Sequence, residues 1–192
     1  MNRTWLLTNT CYGQWLPGDA RGFVGHVREH RPGDDDGDLR VTHNTLGTGY
    51  DAGIPHLEAA ARSRMHGPPV TLTRDQAAAV LTQFRETARF RNWSLLAASV
   101  LFNHFHLVVE VSGDPEPGKI LGDFKSWGTR ALSQKYGEPA SKTWWTERGS
   151  KRKLPDEAAV RAAVRYVLFK QPNPLAVWAP DLASGDPASG GA

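Results

Sequence analysis

The chain has one cysteine, Cys11, among 192 residues. That excludes an intramolecular disulfide and a zinc site built from several cysteines. Met1-Asn-Arg-Thr-Trp5 runs straight into a strand-like segment, without the apolar core of a signal peptide. No apolar run approaches the roughly 20 residues of a membrane span, so a cytoplasmic protein is expected. No glycine-rich loop of the phosphate-cradling kind is present, and chemistry powered by a nucleoside triphosphate is not expected. Neither sign of charge dominates, with 23 Lys and Arg against 20 Asp and Glu. The distribution is therefore more informative than the total. From Lys119 to Lys170 twelve Lys or Arg face five Asp or Glu, whereas residues 33–38 are acidic. A basic C-terminal half points to a polyanionic partner, most simply nucleic acid, or else to an ordinary solvated surface.

What is present is enough for one well-buried domain. Trp5–Tyr12 is rich in β-formers and reads as a first strand. Residues 23–69 are irregular, with many Gly, Pro and Asp, and only Leu57–Met65 there reads as a short helix. Such a stretch reads as an insertion over one end of a sheet. Thr73 with Gln76 forms a capping-box pattern, and Ala77, Val80, Leu81, Phe84 and Ala88 mark the apolar face of a helix to about Phe90. Trp93–Phe102 and His104–Val111 read as two strands joined at Asn103. A second amphipathic helix spans Lys119 to Tyr136, with Ile120, Leu121, Phe124, Trp127 and Leu132 as core candidates. Residues 143–154 resemble a hairpin around Arg148–Ser150, and a last helix runs from Asp156 to about Lys170. The expectation is a single domain over residues 1–178, followed by a disordered tail at 179–192. The order β, insertion, α, β, β, α, hairpin, α predicts an α+β fold. It is a ferredoxin-like antiparallel sheet with helices on one face, plus the insertion and a C-terminal hairpin and helix.

The chemistry-bearing stretch is His104-Phe105-His106. On a strand, Phe105, Leu107, Val109 and Val111 share one face, while His104, His106, Val108 and Glu110 share the other. Two imidazoles on one face, roughly 6–7 Å apart along the backbone, can bind a single metal ion. Packed or solvated histidines are the plainer alternative. Tyr166 lies one turn before Gln171 near the end of the last helix. A tyrosine hydroxyl can act as a nucleophile and a glutamine can give a metal an oxygen ligand. Core packing of Tyr166 beside Val167 and Phe169 is the alternative there. Trp127, Trp144 and Trp145 are candidates for base stacking or for the core.

His104-Phe105-His106, the basic helix behind it, and Tyr166-Val-Leu-Phe-Lys-Gln171 resemble the IS200/IS605-like single-tyrosine transposases of the HUH endonuclease superfamily. The opening Trp5-Leu-Leu-Thr-Asn-Thr-Cys-Tyr-Gly-Gln-Trp-Leu-Pro-Gly-Asp-Ala-Arg-Gly22 is similar to the REP-associated tyrosine transposases. The resemblance covers roughly Trp5 to Gln171. It implies a ferredoxin-like fold with His104 and His106 as metal ligands on a central strand, Tyr166 as nucleophile, and Gln171 as third ligand. It further implies a divalent cofactor, Mg²⁺ or Mn²⁺, and single-stranded DNA as substrate, including hairpin-forming repeats. Cleavage would proceed through a 5′-phosphotyrosine in a monomer or homodimer. Lys125, Arg130, Arg148, Lys151, Arg152 and Lys153 would contact the DNA backbone. One alternative is a catalytically silent, sequence-specific DNA-binding protein derived from a transposase. A phosphoesterase using His43-Asn44-Thr45 would need a second such motif, which His104-Phe105-His106 does not supply. A zinc hydrolase would need a further ligand, and Glu110 sits too far along the strand to serve.

Overall fold

The computed structural model describes residues 2–21, 26–28, 40–42 and 52–180. His43-Asn44-Thr45, part of the 23–69 insertion, and residues 181–192 of the expected tail lie outside the described residues. In chain order the elements are β1 (Asn2–Thr10), β2 (His26–Arg28), β3 (Arg40–Thr42), α1 (Pro55–Ser63), α2 (Arg74–Phe90), β4 (Ser94–Val100), β5 (His104–Ser112), α3 (Pro117–Tyr136), β6 (Ser150–Leu154), α4 (Glu157–Phe169) and β7 (Ala176–Trp178). Two compact units result: residues 1–14 with 69–192, and residues 15–68. The second unit holds α1 and the β2–β3 pair. In it, Asp19 and Arg21 are joined by a 2.6 Å ion pair, and Arg21 also lies over the Trp15 ring.

The first unit carries a five-stranded antiparallel sheet in the order β6-β1-β5-β4-β7. Its first four strands, with α2 and α3 as crossovers, make the expected ferredoxin-like β-α-β-β-α-β arrangement. β5 alternates as its sequence predicts. Phe105, Leu107, Val109 and Val111 enter the larger core with Trp5, Leu7, α2 and α3. Val108 joins a smaller cluster with Ala97, Leu154, Ala163 and Val167. Thus α2 and α3 cover one face of the sheet, and the added helix α4 covers the other.

Helices α2 and α4 start where their capping chemistry predicts. Thr73 and Gln76 exchange both bonds of a capping box, and Asp156 Oδ1 accepts from Ala159 N at 2.8 Å. The larger core centres on Phe84, whose ring lies 4.8 Å from that of Phe105 and 5.6 Å from that of Phe124. Here α3 differs from expectation: Trp127 is on the solvent side, 37% exposed, beneath the Arg130 guanidinium. The inward residue is its neighbour Gly128. A Cβ there would stand 3.0 Å from Val80 Cγ2 and 3.1 Å from Phe84 Cε1, so glycine sets the spacing of α2 and α3.

Residues 143–154 form no hairpin. Trp145 bridges Cys11, and β6 then continues along the same partner, from Ser150 opposite Thr8 to Leu154 opposite Thr4. Both halves are one edge strand on β1, interrupted by a bulge at residues 146–149. Lys125 Nζ holds that bulge by donating to the carbonyls of Thr146 at 2.6 Å and Glu147 at 2.7 Å. Gly149 presses against β1, where a Cβ would lie 2.5 Å from Asn9 Oδ1 and 2.6 Å from the Thr8 carbonyl. The tryptophans 144 and 145 are buried in the larger core. At the opposite edge the sequence reading gave no strand, yet β7 pairs three residues with β4.

Gly149→Ala is expected to lower stability by about 1–3 kcal/mol, since the atoms it would strike are backbone and a buried amide. Urea denaturation against the parent checks this; an unchanged midpoint would mean the bulge yields freely.

Candidate active site

The tight turn Leu101–His104 closes through Leu101 N donating to the His104 carbonyl at 2.8 Å, and it starts β5 with His104 on the α4 side of the sheet. The Asn103 side chain folds back so that its Oδ1 lies 2.6 Å from His104 Nδ1. Two residues on, His106 points the same way and is buried between its strand neighbours, opposite Thr8 on β1 and Ser99 on β4. Thr8 Oγ1 and His106 Nδ1 share a 2.7 Å hydrogen bond. The two imidazoles are nearly perpendicular, 85°, with centroids 4.8 Å apart.

Burial is the main reason that the His106 pKa is pushed down to about 3. Repulsion from His104 adds to the depression, and a hydrogen bond with the Gln171 side chain works the other way. That bond is a weak one, since His106 Nε2 is buried with no partner at ordinary hydrogen-bond geometry. A buried, unpaired ring nitrogen is costly in a folded protein, and it is the kind of atom that a metal ion satisfies.

Tyr166 reaches this point from α4. Ala163 and Val167 face the sheet, which leaves Tyr166 on the helix flank, 44% exposed. Its ring stands edge-on to His106 with centroids 5.4 Å apart. The helix ends at Phe169, and Gln171 turns back so that its Nε2 donates to the Tyr166 carbonyl at 3.3 Å. The ending of the helix overcomes the poor i to i+5 alignment that a continuous helix would give. His104, His106, Tyr166 and Gln171 therefore converge on the α4 side of the sheet, contributed by two elements far apart in the chain.

Among the described residues no group of three or more His, Cys, Asp or Glu is placed to hold a metal ion. Glu110, at the far end of β5, accepts from Asn2 Nδ2 at 2.9 Å. Cys11 is no rival nucleophile, because burial pushes its thiol up to about 12. A cavity of about 400 Å³, lined in part by Asn2, Arg3, Lys153, Asp156 and Arg161, also opens at the Glu110 end of the sheet, away from the histidines.

The six basic residues do not form one patch. Lys125 is half-buried, its ammonium held by two carbonyls, and burial lowers its pKa. Arg130 sits over Trp127 on α3. Strand register divides the run on β6. Lys151 and Lys153 oppose Leu7 and Trp5 and so lie on the α2–α3 side, whereas Arg152 opposes Leu6 and shares the histidine side. Arg148 is exposed in the bulge. Thr8 and Asn103 were missed by sequence reading. Asn103 had a local signal in its position next to His104, but Thr8 had none, because its pairing with His106 depends on register between strands nearly a hundred residues apart.

A buried imidazole with a depressed pKa makes the metal-free fold acid-sensitive. His106 binds its proton near 6.5 when unfolded and near 3 when folded, so its effect on stability is absent above about pH 7. Stability is then lost as pH falls from 6.5 toward 3, by at most about 1.4 kcal/mol per pH unit for one proton. Urea denaturation of EDTA-treated protein at pH 7.5 and 5 is expected to show this loss, and His106→Asn is expected to reduce it. Equal losses in both proteins would place the acid sensitivity elsewhere.

Neither a family model nor a curated protein matches this chain. A solved structure, that of a REP-associated tyrosine transposase bound to a REP hairpin, aligns over 86% of this chain and 64% of that one, with 15% identity and a TM-score of 0.43.

Proposed function

We propose that this chain is a metal-dependent single-stranded DNA endonuclease and strand transferase of the transposase type, working through a 5′-phosphotyrosine at Tyr166. The observation that carries the reading is the exposed Tyr166 ring standing against the buried His106, whose ring His104 and Gln171 also approach. The sequence resemblance supports it independently, because its motif residues are those that converge.

The donor set suits a hard or borderline divalent ion: two imidazole nitrogens from His104 and His106 and an amide oxygen from Gln171. Bound there, Mg²⁺ or Mn²⁺ would supply Lewis-acid polarisation of the scissile phosphate. The protein's own groups do the rest. His106 stays neutral far below pH 7, which keeps its nitrogen available and adds no positive charge to the buried side of the site. Tyr166, half in solvent, can be approached by a phosphodiester from outside. Its oxygen bonds to phosphorus as the phosphorus–O3′ bond breaks. The phenolic proton passes to water, and the departing 3′-oxygen takes one up. One ester replaces another, so rejoining needs no external energy source. Attack by a 3′-hydroxyl on the phosphotyrosine reverses the step and restores the tyrosine.

Of the three basic residues on β6, Arg152 is the one that register puts on the histidine side, where it would hold the strand. Arg148, Arg130, Lys151 and Lys153 would meet more distant backbone, and Lys125 shapes the bulge that carries Arg148. Single-stranded DNA, with hairpin-forming repeats as the natural targets, is the partner. The chain would act in the cytoplasm as a monomer or homodimer. No helix among the described residues is long and apolar enough to cross a membrane.

The test is covalent capture. The protein is mixed with single-stranded oligonucleotides from its flanking genomic repeats and Mn²⁺ or Mg²⁺, then run under denaturing conditions. A DNA–protein adduct is expected, lost with EDTA, with His106→Ala and with Tyr166→Phe. Survival in Tyr166→Phe would move the nucleophile elsewhere and overturn the role given to Tyr166. Tight binding without an adduct under either metal would leave the silent DNA-binding reading.

A further inference from the structure

We propose that the solvent face of α4 beside Tyr166 is a seat for unpaired DNA. Phe169 stacks on a base flanking the phosphate that meets Tyr166, and Arg165 contacts the backbone next to it. The seat depends for its purpose on the nucleophile role proposed for Tyr166, but not for its observations. Spacing along the helix would pack Phe169 in the core beside Tyr166 and Val167, yet its side chain is 72% exposed. Residues three and four apart are neighbours on a helix surface, so Phe169 borders both Tyr166 and Arg165. Arg165 is exposed too, and its guanidinium has no ion pair or hydrogen bond among the described residues.

Two features separate Phe169 from an ordinary exposed apolar side chain. Phe90 and Trp127 are also exposed, but a guanidinium lies over each ring, that of Arg91 and that of Arg130. The Phe169 ring has no aromatic or cationic partner among the described residues. The charge around it also has one sign. From Ala158 to Lys170 the chain carries Arg161, Arg165 and Lys170 and no carboxylate, and Glu157 before them is engaged by Arg161 at 3.1 Å. An open aromatic ring set among cations suits a single strand: every base has a face to stack, and the cations follow the phosphates. A closed duplex offers no base face along its length, so the occupant is unpaired strand.

The test compares two ligands on full-length protein in EDTA, where no cleavage intervenes. One is fluorescein-labelled oligothymidylate, the other a baseless oligomer of equal length built from abasic residues, and binding is read by fluorescence anisotropy. Phe169→Ala is expected to weaken oligothymidylate about 5–150-fold and to leave the baseless strand near its parental affinity. Phe169→Trp is expected to restore binding. Arg165→Gln is expected to weaken both strands and to reduce the slope of log affinity against log salt by about 0.7. Phe90→Ala, on the other face of the sheet, is expected to match the parent. A parent that binds neither strand, or a Phe169→Ala loss that is absent or equal on both, overturns the proposal. A Phe169→Ala protein that dissociates from a dimer while keeping its DNA affinity assigns the ring to a second copy and also overturns it. Base-dependent binding through Phe169 in a protein that forms no phosphotyrosine adduct supports the seat and removes the nucleophile role instead. An adduct formed by Phe169→Ala with parental affinity for the strand keeps the proposed function and overturns the seat.

Discussion

Phe105 and His106 are adjacent in sequence and face opposite sides of one strand, and both are buried, at 0% and 5% exposure. That is possible because β5 is paired on both edges, by β1 and β4, and covered on both faces. Alternation ties the two burials together. A slip of one residue in the pairing would carry Phe105 out of contact with Phe84 and Trp145 and bring His106 into their place. The aromatic core thereby specifies the position of the imidazole. It supplies the binding energy for a register that the histidine, costly to bury, would not choose alone.

The two faces divide the labour. α2 buries six residues and α3 five, whereas α4 buries two, Ala163 and Val167. Tyr166 therefore rides on the helix with the fewest fully buried residues, which lies along β4, β5 and β6, and the histidines sit on the central strand. On the proposed function, the half-exposed flank of α4 leaves Tyr166 open to solvent, while β5 fixes the spacing of the two imidazoles.

What the sequence made legible was local and periodic. The β5 alternation, the capping box of α2 and the four-strand, two-helix order needed only the spacing of side chains within ten or twenty residues. The failures were non-local. Residues 143–154 look like two strands around a turn, and local reasoning pairs them with each other. The open edge of β1 instead takes both in succession, with the bulge at 146–149 absorbing the mismatch. Trp127 was the obvious inward residue of α3 by size, yet the helix contact is set by the smallest residue, Gly128, since α2 and α3 approach too closely for a side chain. Thr8 could not be found because nothing near it in sequence needs a hydroxyl. β7 is too short to show a period.

The basic C-terminal half shows how the same failure bears on function. Counted along the chain, Lys151, Arg152 and Lys153 are one run, and a run of positive charge suggests a nucleic-acid surface. Folded, they alternate across β6, which among the described residues pairs with β1 alone and forms the edge of the sheet. Charged side chains on an open edge have a separate physical role: they disfavour pairing with another sheet. That role accounts for all three without any DNA, so the run by itself is weak support for a nucleic-acid partner. The discriminating residue is Arg152, which edge protection does not require to lie on the histidine side, but which a strand passing Tyr166 would need there. The face to which register assigns Arg152 therefore bears more on function than the number of cations the half-chain carries.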